Sequence, residues 1–390
     1  MFAADDGADG HEAEPVAVFV DPATGEVLGE DHVYGTSGSL PLRTDIAQAH
    51  RHLFLGDWGR IYSELAASWL AVIVLAGVGL WAVRWRALRA SRRSRRQLLL
   101  PGRTGPGYRR TRSWHAALGI WLAAGGLFLA ATGITWSTYG GANVADLRQT
   151  LNWQTPAVET GLNDAAHTDD EHAGHEHHGG HHSASDEVDV DPAAIDHVLH
   201  AAQKAGFTST HVEITLPTGA EQAWSLEDVS MRLPAPELQA VAVDAGSMQV
   251  TDALRFDDYP FVAQLAQWGI WLHMGTLFGL PNQLMLFALS LGLVVMVIWG
   301  YLMWWQRRPR HGERAMGPAP APGALRRAPW WGVGLTVGSA ALVAWFLPVL
   351  GVSLVAFVLG DVLWQAHLRR RSRQEVDRRE STVSESSVSE

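Results

Sequence analysis

Residues 114–136, WHAALGIWLAAGGLFLAATGITW, run for 23 positions without a formal charge. At about 1.5 Å rise per residue this stretch reaches across a hydrocarbon core of roughly 30 Å, so it reads as a transmembrane helix. A helix advances about 100° per residue, so Gly119, Gly126 and Gly133 return to nearly the direction of His115. One face therefore presents an imidazole followed by a groove without side chains. Such a groove admits either a neighbouring helix or a flat cofactor, and the residues leave both open.

The rest of the chain fits a polytopic membrane protein. Mean hydropathy is near zero over 390 residues because apolar blocks alternate with polar ones. The chain has no cysteine, which excludes disulfides, thiolate nucleophiles and cysteine-ligated metals. Many of its 18 tryptophans stand at the ends of apolar stretches, as interfacial anchors do. Further spans are expected at about 66–83, 283–305, 330–347 and 350–366, the last two forming a hairpin around Pro348.

Arginine sets the orientation. Eleven arginines and no acidic residue lie between Arg84 and Arg112, and six more fall in each of the segments Arg307–Arg327 and Arg369–Arg379. Clusters so close to apolar spans are topology signals that place all three segments in the cytoplasm, and no nucleic-acid partner is inferred from them. Residues 1–62 and 137–260 then lie outside. Residues 1–15 are acidic and lack the features of a signal peptide.

The outer segments divide by composition. Residues 16–29 hold two apolar runs around Asp21-Pro22-Ala23-Thr24-Gly25, a hairpin pattern. The stretch 163–187 is polar and is expected to be disordered. It carries His167, His172, His175, His177, His178, His181 and His182, which could bind Cu or Zn loosely. Residues 191–260 look folded: Asp191-Pro192 opens a helix that Gly206 closes, and three alternating segments follow as three strands, the last pair a hairpin. That small α+β module holds no nucleophile with a base, no HExxH and no phosphate loop.

An internal repeat links these parts. At an offset of 223, Val18, Val20, Asp21 and Val27 match Val241, Val243, Asp244 and Val250. The same offset matches His50 to His273, Gly56 to Gly279, Gly77 to Gly300, Trp81 to Trp304 and Arg84 to Arg307. Hairpin, histidine, span and arginine stop thus occur twice in the same order.

The TRSWHAALGIWLAAGGLFLAATGITWS helix, the VFVDPATGEVLG hairpin, the LHMGTLFGLPNQ segment and the span ending WGYLMWWQRRP resemble the PepSY-associated transmembrane proteins, iron-regulated proteins of the bacterial inner membrane. The resemblance covers roughly residues 16–365. It implies an α-helical polytopic membrane protein of about five transmembrane helices with a small extracytoplasmic α+β PepSY-like domain. The family pattern has a further helix and a complete first PepSY domain ahead of this start, so the amino terminus is expected to be truncated. The histidine-rich insert departs from the pattern. The expected layout is a PepSY remnant at 1–62, a membrane helix at 63–86, an arginine-rich loop at 87–113, a helix at 114–136 and a linker at 137–190. The PepSY-like domain at 191–260 comes next, then a membrane segment at 261–305, a loop at 306–329, a transmembrane hairpin at 330–366 and a disordered tail at 367–390.

Some members of that family are ferric-siderophore reductases with b-type haem between their helices. By that resemblance haem b would be held by His50 and His273 near the outer surface and by His115 at the inner end, along the groove of Gly119, Gly126 and Gly133. His52 is the alternative to His50. The partners implied are the lipid bilayer, a ferric siderophore or other metal as substrate, and a quinol or a cytoplasmic reductase as donor. No dinucleotide fingerprint occurs, so the donor is not a nicotinamide bound by this chain. Two other readings are metal handling by the histidine-rich loop without catalysis, and regulation of a peptidase or envelope partner through the PepSY module.

Overall fold

The computed structural model describes residues 16–32, 41–90, 96–102, 107–162, 193–219, 221–307 and 329–387. Among them four helical stretches are long and apolar enough to cross a membrane: Gly56–Leu88 within α2 (Gly56–Ala90), all of α4 (Tyr108–Thr135), all of α8 (Leu280–Gln306) and Pro348–His367 within α10 (Pro348–Ser387). The fifth expected span is α9 (Trp330–Phe346), apolar but shorter at 17 residues.

The central element is α4, packed between α2 and α8. Its glycines bring both neighbours close. A Cβ on Gly119 would lie 2.9 Å from Met296 Cε, one on Gly125 2.8 Å from Leu289, and one on Gly292 of α8 2.7 Å from Leu122. As the number on α4 rises its partner on α8 falls, so the two helices are antiparallel. Gly126 faces Val74 and Gly133 faces Ala67, both at 3.4 Å, which makes α2 antiparallel to α4 as well. Small residues at such seams let backbones approach where no hydrophobic effect drives helix association.

The hairpin of α9 and α10 rests on α2, where Trp69 Nε1 donates to Ser353 Oγ at 3.1 Å and the Trp69 ring meets Phe357 edge-on at 5.6 Å. At the arginine end of the bundle the short helix α3 (Arg96–Leu99) is tied to both neighbours. Trp81 of α2 donates to the Leu98 carbonyl at 3.2 Å, and Trp121 of α4 donates to that of Leu99 at 3.0 Å.

Beyond the end of α4 the chain forms α5 (Tyr139–Thr150) inside the stretch expected to be linker. Its first N–H groups would be orphans, as at any helix start. Glu64 of α2, buried to 1% exposure, accepts from Tyr139 N and Gly140 N, both at 3.0 Å. The partner stands 75 residues earlier in the chain, which is why local pattern misses this helix.

The α+β module consists of α6 (Ala193–Lys204) over an antiparallel sheet of β3 (Val212–Thr215), β4 (Trp224–Asp228), β5 (Leu238–Asp244) and β6 (Gln249–Arg255) in sequential order. The third alternating segment supplies two strands, so the sheet has four rather than three. Val198 and Ala202 of α6 meet Leu226, Val241 and Val243 in a fully buried core closed by Phe207. Gly206, at φ 102°, turns the chain out of α6 as expected. Strands β1 (Val16–Val20) and β2 (Val27–His32) form the separate amino-terminal hairpin.

Three boundaries differ from the sequence reading. The first membrane helix starts at Gly56, ten residues before its apolar run, because the polar turns contain Glu64 with its partners. A distinct helix α7 (Phe261–Met274) precedes α8. The tail expected to be disordered continues α10 to Ser387; no glycine or proline follows Gly360, so nothing local stops the helix. Asp191, Pro192 and the seven histidines from His167 to His182 lie outside the described residues.

Candidate functional site

Two short helices carry the repeated histidine, each in its last turn: His50 in α1 (Pro41–His52) and His273 in α7. Each helix then breaks through left-handed residues, Leu53 and Phe54 in one copy and Gly275 in the other, before a left-handed glycine, Gly56 or Gly279, starts the membrane helix. Helix α7 is finished by Thr276 N and Leu277 N donating to the Trp271 carbonyl at 2.9 and 3.2 Å. Asn282 of α8 donates through Nδ2 to the Leu272 carbonyl at 2.9 Å, next to His273. In the first copy the position of Asn282 is Gly59, packed so tightly on the His52 carbonyl that a side chain has no room.

This arrangement brings the two imidazoles together, with ring centroids 6.2 Å apart and planes 50° from parallel. His273 is half-buried among Trp136 at 5.3 Å, Phe128 at 6.4 Å and the Thr132 hydroxyl, which lies 2.7 Å from its Nδ1. His50 is exposed. Burial, then the neighbouring His50, push the His273 imidazole down to about 4, so it is neutral at pH 7 with a lone pair to offer. His52 turns to its own helix, bonding Gln48 one turn back and meeting Phe54 edge-on. The repeat position is thus the one that faces His273.

A haem iron or other metal held between two imidazoles sets the distance between their rings. Two metal–nitrogen bonds of roughly 2 Å plus the ring radii come to about 6 Å between centroids. The observed 6.2 Å fits that requirement. Among the described residues no group of three or more potential ligands gathers, so a closed structural metal site does not form.

His115 stands at the other end of α4, about 25 Å along the helix from Thr132. Its Nδ1 is buried without a hydrogen-bond partner, and among the described residues no second imidazole is in ring contact with it. Gly119, Gly126 and Gly133, expected to form a groove below it, face Met296, Val74 and Ala67. That face is filled by neighbouring helices, so the groove expected along Gly119, Gly126 and Gly133 is closed.

Sequence reasoning missed Thr132 and Trp136. They share a face at i and i+4 at the end of the span 114–136, a polar and an aromatic residue together, and that spacing was the available signal.

The family model for the PepSY-associated TM region matches residues 2–307, which include the histidine pair, the α+β module, α2, α4 and α8 but not the α9–α10 hairpin. No curated protein and no solved structure matches the chain. The helices and the extent of that match make this chain a multi-pass membrane protein of the PepSY-associated transmembrane family.

Proposed function

We propose that the protein is a metalloreductase of the bacterial cytoplasmic membrane that holds b-type haem between His50 and His273 and reduces ferric siderophore or another metal chelate at that end of the bundle. The observation that carries the reading is the meeting of two repeat-related imidazoles at 6.2 Å, close to the spacing at which two histidines would hold one metal centre between them. Haem, when bound, would supply a one-electron couple whose potential the residues around it would set.

The chain's own residues do the rest. His273 is kept neutral by burial and so is ready to ligate at physiological pH. Trp136 and Phe128 flank it and lower the local dielectric. His50, on the more exposed side, leaves the site open toward a chelate too large to enter the bundle. Reduction of Fe(III) to Fe(II) takes one electron, and a membrane quinol that reaches the same end of the bundle would supply it, two Fe(III) being reduced for each quinol oxidised to quinone with release of two protons.

The test is the absorption spectrum of the detergent-solubilised full-length protein before and after dithionite. A reduced b-type spectrum is expected, lost in His273→Ala and His50→Ala and retained in His52→Ala. Purified protein without haem, or His273→Ala with an unchanged spectrum, overturns the reading.

A further inference from the structure

Thr132 stands beside the Nδ1 edge of the His273 ring. Its hydroxyl lies 2.9 Å from the Phe128 carbonyl and 3.2 Å from that of Leu129, the back-bond a threonine within a helix makes to the preceding turn. A hydroxyl has one proton to give. With that proton directed at the helix backbone, the oxygen offers His273 a lone pair, and the 2.7 Å contact to Nδ1 is then an Nδ1–H donating to Thr132. A neutral imidazole carries one proton, so the lone pair falls on Nε2.

We propose that Thr132 is a positioning residue that holds His273 in the Nδ1–H form and thereby makes Nε2 the ligating atom. This deepens the reading of His50 and His273 as paired ligands and rests on it. The packing is arranged for the contact. Gly269, one turn before His273, lets α7 approach until a Cβ there would be 3.9 Å from Thr132 Cγ2. Asn282 pins the carbonyl of Leu272, so the backbone that carries the ring is held from one side and the ring from the other. A partner that fixes the tautomer and orientation of a ligating histidine typically changes affinity about 10- to 100-fold when removed.

The experiment uses the full-length protein without haem, labelled with 15N-histidine, in detergent. His273→Gln identifies the His273 signals by their loss. The wild type is expected to show a protonated Nδ1 and a bare Nε2, Thr132→Ser to keep that state, and Thr132→Val to lose it. On titration with haem, Thr132→Val should bind about 10- to 100-fold more weakly and Thr132→Ser about as wild type. A protonated Nε2 in the wild type, or a Thr132→Val spectrum identical to wild type, overturns the assignment of Thr132. If the tautomer follows Thr132 as stated while no form binds haem, the assignment stands and the proposed function falls.

Discussion

Asp21 and Asp244 close the same turn in two hairpins 223 residues apart. Each carboxylate accepts the N–H two residues on, Ala23 N or Gly246 N, at 2.8 Å. Each backbone carbonyl accepts the N–H four residues on, from Gly25 at 2.8 Å and from Met248 at 2.7 Å. The register agrees as well: Val20 pairs with Val27 as Val243 pairs with Val250, and a bulge interrupts both ladders one residue before, between Phe19 and Val20 and between Ala242 and Val243. The internal repeat is therefore structural, and the meeting of His50 with His273 joins equivalent positions of two copies.

The fourth residue after each aspartate is left-handed, at φ 71° for Gly25 and 56° for Met248. A side chain in that region costs roughly 1–2 kcal/mol, which glycine avoids. Met248→Gly is expected to stabilise the α+β module by about 1 kcal/mol and Gly25→Ala to loosen the first hairpin by a similar amount. Hydrogen exchange of the turn amides measures both, and faster exchange in Met248→Gly contradicts the first.

Helix α4 meets α8 through reciprocal glycine and leucine contacts, Gly125 with Leu289 and Gly292 with Leu122. Gly292→Ala forces an overpacked seam and is expected to cost about 1–3 kcal/mol of thermal stability in detergent. Leu122→Ala in the same chain should recover most of the loss, because it empties the space the new methyl needs. Equal losses in single and double variants contradict this contact.

Glu64 satisfies two N–H groups at the start of α5, the buried one of Gly140 and the partly buried one of Tyr139. Glu64→Ala leaves both without a partner, at about 1–3 kcal/mol for each unsatisfied group, whereas Glu64→Gln retains one acceptor oxygen and loses less. The expected signs are a lowered melting temperature, largest for alanine, and proteolysis near residues 139–150. A Glu64→Ala protein as stable as wild type would sink this account of α5.

His273 accepts a proton only near pH 4 when folded, against an ordinary value of 6.5. The unfolded chain therefore binds more protons than the folded one across that window, so stability is fully present above about 6.5 and is lost as pH falls toward 4. The melting temperature of the wild type relative to His273→Gln should be flat above pH 7 and decline from 6.5 to 4. A relative stability that rises on acidification would show that His273 gains, rather than loses, by folding.

Local pattern was enough for the long apolar helices, the first hairpin and the repeat. Charge-free runs announced α2, α4 and α8, the turn residues after Asp21 announced the first hairpin, and the offset of 223 singled out His50 over His52. Only the tertiary structure decided what filled the spaces between elements. It placed Met296, Val74 and Ala67 against the glycine face of α4, drew Thr132 to His273, and supplied Glu64 to α5 from a distant helix. The physical reason is that a glycine groove, a lone hydroxyl and a buried carboxylate each specify a demand for contact without naming the partner, and the partner is set by which helices the fold brings side by side.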